Sequence, residues 1–157
     1  MAADREMRER VLAAVPQQAP FRFIDEILEM DTEHIVGAYR FKEDESFYNG
    51  HFPGRPVTPG VILVEAMAQT GVVAFGLYLV MAQGREAELK SRNLTTLFTV
   101  IENMEFTGMV KPGERVIIRG EKVYFRKGNL KAKVSMEREN GEPVASGVMA
   151  GMGVNLQ

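Results

Sequence analysis

VILVEAMAQTGVVAFGLYLVMA, residues 61–82, is the stretch on which the fold turns. It is long enough to cross a bilayer, yet Glu65 and Gln69 lie in its first half, where lipid would leave both without partners. The 157 residues contain no second segment of this kind. A helix apolar on every side also suits the centre of a soluble domain. The strand-rich remainder of the chain favours that reading, so we expect a buried helix from about Pro59 to Gln83, stopped near Gly84, and no membrane span.

Upstream, residues 3–14 mix charges with a few apolar positions and read as a short surface helix ended by Pro16. FRFIDEILEMD (21–31) and EHIVGAYRF (33–41) have strand composition and a short polar link, hence a hairpin. Downstream, GREAELKSRN (84–93) is charged and loop-like. Four strand candidates follow, at 95–106, 114–125, 128–139 and 142–154. In the third, Leu130, Ala132, Val134 and Met136 alternate with Lys131, Lys133 and Ser135, the period of a half-buried strand. Short connections imply an antiparallel meander. The simplest packing is a curved sheet wrapped around the helix, in a single domain over residues 1–157 with 1–15 as its N-terminal helix.

A net charge of −2 supplies no general basic field, which argues against nucleic acid. Absence of cysteine removes disulfides, thiolate nucleophiles and Cys-based metal sites, and points weakly to a reducing, cytoplasmic setting. The two histidines, His34 and His51, have no metal-binding spacing, so no metal is expected. His34 starts a strand and is given no role.

The chemistry gathers just before and inside the oily stretch. Thr58-Pro59-Gly60 reads as a helix start, with Thr58 as cap and Pro59 at the first position. Gly60 would then offer an unshielded N–H to an oxygen that gains negative charge. The same residues equally make an ordinary tight turn. Glu65 and Gln69 stand one turn apart on one face. Burial would raise the Glu65 pKa and keep it a proton donor, whereas a helix edge would leave it in water. His51 is either a general base or a solvated loop histidine. Base, acid and oxyanion donor together suit reactions alpha to a carbonyl.

HFPGRPVTPGVILVEAMAQ (51–69) resembles the active-site signature of the β-hydroxyacyl-(acyl carrier protein) dehydratases of the FabZ type, where HFPG and PGV precede an E-A-x-A-Q helix. The likeness extends through PFRFID (20–25) and FTGMVKPGERV (106–116) and covers most of residues 16–155. It implies an α+β hotdog fold, an antiparallel sheet around one long helix. It implies that His51 abstracts the C2 proton of a (3R)-hydroxyacyl thioester. Glu65 protonates the departing hydroxyl, helped by a water that Gln69 orients, and the Gly60 N–H holds the thioester carbonyl. The product is the trans-2-enoyl thioester of fatty acid biosynthesis, and no cofactor is needed. The implied partners are acyl carrier protein and a second copy of the chain, with each site shared across a homodimer; a trimer of dimers is the higher form. Glu65, rather than Asp, and Pro53 favour the branch that dehydrates without isomerising.

The chain departs from that pattern at Gln17-Gln18, where P-H-R is usual, and at 105–109, where basic residues are usual. Carrier choice and acyl preference are therefore open. Arg85, Lys90 and Arg92, or Arg126 and Lys127, are the local basic clusters that an acidic carrier would meet; a solvated charged loop explains them equally. A dehydratase of a specialised lipid pathway and a hotdog acyl thioesterase are the alternative readings.

Overall fold

In the computed structural model, which describes residues 1–90 and 94–155, the oily stretch forms one helix, α2 (Gly60–Ala82), most of it buried. It alone among the described helices is long and apolar enough to span a membrane, and a sheet packs along it. Before it come α1 (Arg5–Ala14), β1 (Glu26–Met30) and β2 (His34–Arg40); after it come β3 (Leu94–Phe106), β4 (Arg115–Arg126), β5 (Asn129–Arg138) and β6 (Pro143–Asn155). Short 3-10 turns occupy Ser46–Asn49 and Glu86–Lys90.

The strands form one antiparallel sheet in the order β1-β2-β4-β5-β6-β3, curved around α2. This is the expected hotdog arrangement, with one difference from a simple meander. β3 pairs with β6, from Leu94 opposite Asn155 to Phe106 opposite Ala145, and not with β4, its neighbour in sequence. Residues 107–114 carry the chain away from β3: Thr107 and Gly108 donate to the Val144 carbonyl, and the Lys111-Pro112-Gly113 turn, with Gly113 at φ +84°, starts β4. β5 buries Leu130, Ala132, Val134 and Met136, as its alternation requires.

The strand expected at 21–31 is shorter than its composition suggested: only Glu26–Met30 belongs to β1. Residues 21–23 instead spend backbone groups on the Gln69 side chain, as described below. The helix start also differs. Pro59, not Thr58, is the cap residue and Gly60 is the first helical position. Thr58 is buried, and its hydroxyl shares a 2.7 Å hydrogen bond with the Tyr48 hydroxyl. A hydroxyl held there cannot turn back onto the first helical turn.

Gln69–Ala74 is a π-helical segment, a wider turn that adds a residue without ending the helix. It lies over β2, β4, β5 and β6. Here helix and sheet approach backbone to backbone: a Cβ on Gly71 would lie 2.5 Å from Val134 Cγ1, and one on Gly120 would lie 3.0 Å from Gly71 Cα. Apolar clusters close around both halves of α2, Met67 in one with Phe23, Tyr39 and Ile118, and Phe75 in another with Val11, Ile27 and Ile35. Gly71→Ala and Gly120→Ala are each expected to lower unfolding free energy in urea by about 1–3 kcal/mol through overpacking. Gly50→Ala, which nothing lies within 4 Å of, should change it by no more than about 0.5 kcal/mol.

Candidate active site

Gln69 is fully buried, and a buried amide must find partners. Its Oε1 accepts from the Phe23 N–H at 2.7 Å. Its Nε2 donates to the Phe21 carbonyl at 3.0 Å and to Glu65 Oε1 at 2.9 Å. Both amide hydrogens are thereby spent inside the chain. Gln69 consequently holds Glu65 itself.

Glu65 is half-buried, between Val64 and Ala66 on the first turns of α2. Burial raises its carboxyl pKa, and the Gln69 hydrogen bond opposes part of that rise. Because Gln69 donates to Oε1, a neutral acid carries its proton on Oε2.

Glu65 lines a groove of about 520 Å³ that runs along α2 between the helix and the β3 and β6 strands. Ala68, Val72, Gly76 and Val80 continue its helical wall, and Leu97 and Leu130 face them. Gln17 and Phe21 also border it, and Gln17 Nε2 donates to Thr96 Oγ1 at 2.8 Å. Thus the unusual residue at 17 contacts the groove, while Met109 of the unusual 105–109 segment is exposed.

His51 is not among the residues that line this groove. It sits in a tight hairpin: the Phe52 and Arg55 backbones exchange two hydrogen bonds around Pro53-Gly54, with Gly54 at φ +72° as a type II turn demands. The His51-Phe52 peptide is cis, and the two rings stack at 4.0 Å. His51 Nδ1 lies 2.9 Å from the Val57 carbonyl. A carbonyl only accepts, so Nδ1 carries the hydrogen and the neutral ring's lone pair is on Nε2.

Gly60 and Val61 open α2, and the Pro59 carbonyl is taken by the N–H groups of Ile62 and Leu63. The helix itself offers the Gly60 N–H no acceptor. The Phe106 ring packs beside it, 3.3 Å from where a Cβ would be.

The basic clusters are placed differently from one another. Arg85 is already engaged by Glu88 through two hydrogen bonds, of 3.0 and 2.8 Å, at the groove end remote from Glu65. Arg126, stacked 5.3 Å over the Tyr124 ring, and Lys127 form the exposed tip of the β4–β5 hairpin. Arg92 and the Lys90 side chain lie outside the described residues. His34 is exposed, 3.6 Å from Asp31.

Sequence reasoning found the side chains here but missed the backbone groups that orient them, the Phe21 carbonyl, the Phe23 N–H and the Val57 carbonyl. Only the PFRF segment of the resemblance carried a hint of the first two.

The FabA-like domain family matches residues 15–147 of this chain. A curated relative from Acetivibrio thermocellus, the 3-hydroxyacyl-(acyl-carrier-protein) dehydratase FabZ, is 40% identical over 134 residues, covering 85% of this chain and 84% of that protein. Among solved structures, the dehydratase heterocomplex ApeI:P from Xenorhabdus doucetiae superposes with a TM-score of 0.72 at 14% identity, covering 92% of this chain and 91% of that one. A mutant thioesterase from Pseudomonas aeruginosa superposes with a TM-score of 0.63 at 13% identity, covering 94% of each. The two structural likenesses establish the hotdog fold and do not separate the two chemistries. The sequence likeness does: the chain belongs to the FabA-like family, on the branch of the 3-hydroxyacyl-(acyl-carrier-protein) dehydratases of FabZ type.

Proposed function

We propose that this chain dehydrates (3R)-hydroxyacyl thioesters of acyl carrier protein to trans-2-enoyl thioesters, reversibly, with His51 as base and Glu65 as acid. The observation that carries the reading is a half-buried carboxyl, held by Gln69, at the head of an apolar groove. His51 Nε2 takes the C2 proton while the C3–O bond breaks. Glu65 Oε2 gives its proton to the departing hydroxyl, which leaves as water. Negative charge that develops on the thioester oxygen is met by the Gly60 N–H and the positive end of α2.

His51 and Glu65 reach one substrate across a dimer. β3 supports this: among the described residues no strand pairs with its outer edge, and Leu97, Phe98, Val100 and Ile101 on it are 37–48% exposed. A long apolar edge of that kind calls for a partner strand, and a two-fold axis there joins β3 to its copy in a continuous sheet. His51 lies off its own chain's groove and serves the partner's.

Purified protein should hydrate crotonyl and longer trans-2-enoyl carrier-protein thioesters, read as loss of the enoyl absorbance. His51→Ala and Glu65→Gln should each lower kcat by at least ~100-fold. An unchanged enoyl signal with wild-type protein would remove the dehydratase reading, and release of free carrier thiol would point to the thioesterase instead. Mixing the two inactive variants should restore activity by forming dimers with one intact site; failure of every mixture to do so under subunit exchange would argue for sites within one chain.

Dehydration needs Glu65 protonated, so activity falls as pH rises through its raised pKa, and Glu65→Gln removes that limb from the residual rate. Gln69→Leu takes away the bond that opposes the rise and shifts the limb to higher pH. It also leaves the Phe23 N–H and Phe21 carbonyl unpaired, at about 1–3 kcal/mol of stability each. A limb that stays in place in Gln69→Leu would show that another group governs it.

A further inference from the structure

α2 presents Glu65, Ala68, Val72, Gly76 and Val80 to the groove. Their spacing of three and four residues makes one stripe along the helix. At 1.5 Å per residue the stripe is about 22 Å long, with Gly76 about 16 Å from Glu65. Among the described residues the charged groups around the groove are Glu65 at one end and Arg85 and Glu88 at the other. The wall between them is apolar but for Gln17 and Thr96.

Glycine inside a helix is disfavoured relative to alanine, because it gives up more freedom on folding. Most glycines that face the core here have a steric reason. A Cβ would meet Thr70 at 2.8 Å from Gly37, Val134 at 2.5 Å from Gly71 and Val72 at 2.9 Å from Gly151. Gly76 has none. A Cβ there would meet only Leu130 Cδ2, at 3.8 Å, an ordinary contact. Its backbone is helical, within Phe75–Ala82, so no left-handed conformation demands glycine either. What a larger side chain at 76 would fill is the groove.

We infer that Gly76 sets the acyl length this chain accepts: it keeps the groove open so that a long acyl tail runs from Glu65 past Gly76 toward Leu89. The substrate class is the long-chain acyl thioester, and any side chain at 76 shortens the groove. For its chemistry this rests on the proposed dehydration; for binding it does not.

The test therefore has two readouts. Saturated butyryl- and palmitoyl-pantetheine, which cannot react, are titrated into wild type, Gly76→Ala and Gly76→Leu by calorimetry. Hydration of crotonyl and trans-2-hexadecenoyl carrier thioesters is followed beside them. Gly76→Leu is expected to lower the long-to-short ratio at least ~tenfold in both affinity and kcat/KM, and Gly76→Ala to lower it less while raising Tm. Wild type that binds butyryl as tightly as palmitoyl would overturn the inference, as would Gly76→Leu weakening both equally. So would a lower Tm or a lost dimer in Gly76→Ala, since glycine would then be serving packing. Length-dependent binding with no hydration would leave the inference standing and remove the dehydratase reading.

Discussion

The contact between Gly71 of α2 and Gly120 of β4 is the constraint on which the other features depend. Two backbones meet with no side chain between them, so the sheet can curve closely over the helix. Nothing longer than hydrogen fits at either position. The residues next to that contact are then sealed from water, and Gln69 and Thr70 are both fully buried. For Gln69, burial is tolerable only because the 21–23 backbone comes to meet it. The same amide reaches one turn back to Glu65. Helix packing, the path of the chain before β1 and the orientation of the acid are thus parts of one arrangement.

Electrostatics follow from that geometry. A carboxyl at the head of an apolar groove is poorly solvated, which disfavours its charged form. The Gln69 hydrogen bond limits the effect and assigns the two oxygens different tasks, one accepting and one carrying the proton. His51 is prepared by different means. The Val57 carbonyl fixes its tautomer, and the Pro53-Gly54 turn fixes the loop. Glu65 depends on burial, His51 on a tight hairpin. The two are set up in separate environments of one chain, since His51 does not line the groove that Glu65 heads.

The hotdog scaffold by itself is indifferent to chemistry, since dehydratase and thioesterase structures superpose on this chain alike. On that scaffold this chain carries the hairpin before α2, the Glu65–Gln69 pair and the groove stripe. In the stripe, residues 68, 72, 76 and 80 line the groove on the side of the helix that leads away from Glu65.

Much of this was legible in the sequence because it rests on local patterns. A long apolar run with one acid and one amide in a strand-rich chain favoured a buried helix, and the alternation of 128–139 a half-buried strand. The family signature in 51–69 put names to the polar residues. The placement of β3 beside β6 was not legible, because strand pairing depends on where the connection 107–114 can travel. Nor was the loss of Thr58 as a cap, which a distant Tyr48 hydroxyl decides. Two of the three partners of Gln69 were not legible either, because they are backbone groups, and every residue type carries those. The sequence by itself determined which side chains are available, which face of each element is apolar and where the chain must turn, since these are properties of neighbours along the chain. Only the tertiary structure decided which of those side chains share a cavity and which lose their partners to water, because burial and hydrogen bonding are settled by residues far apart in sequence.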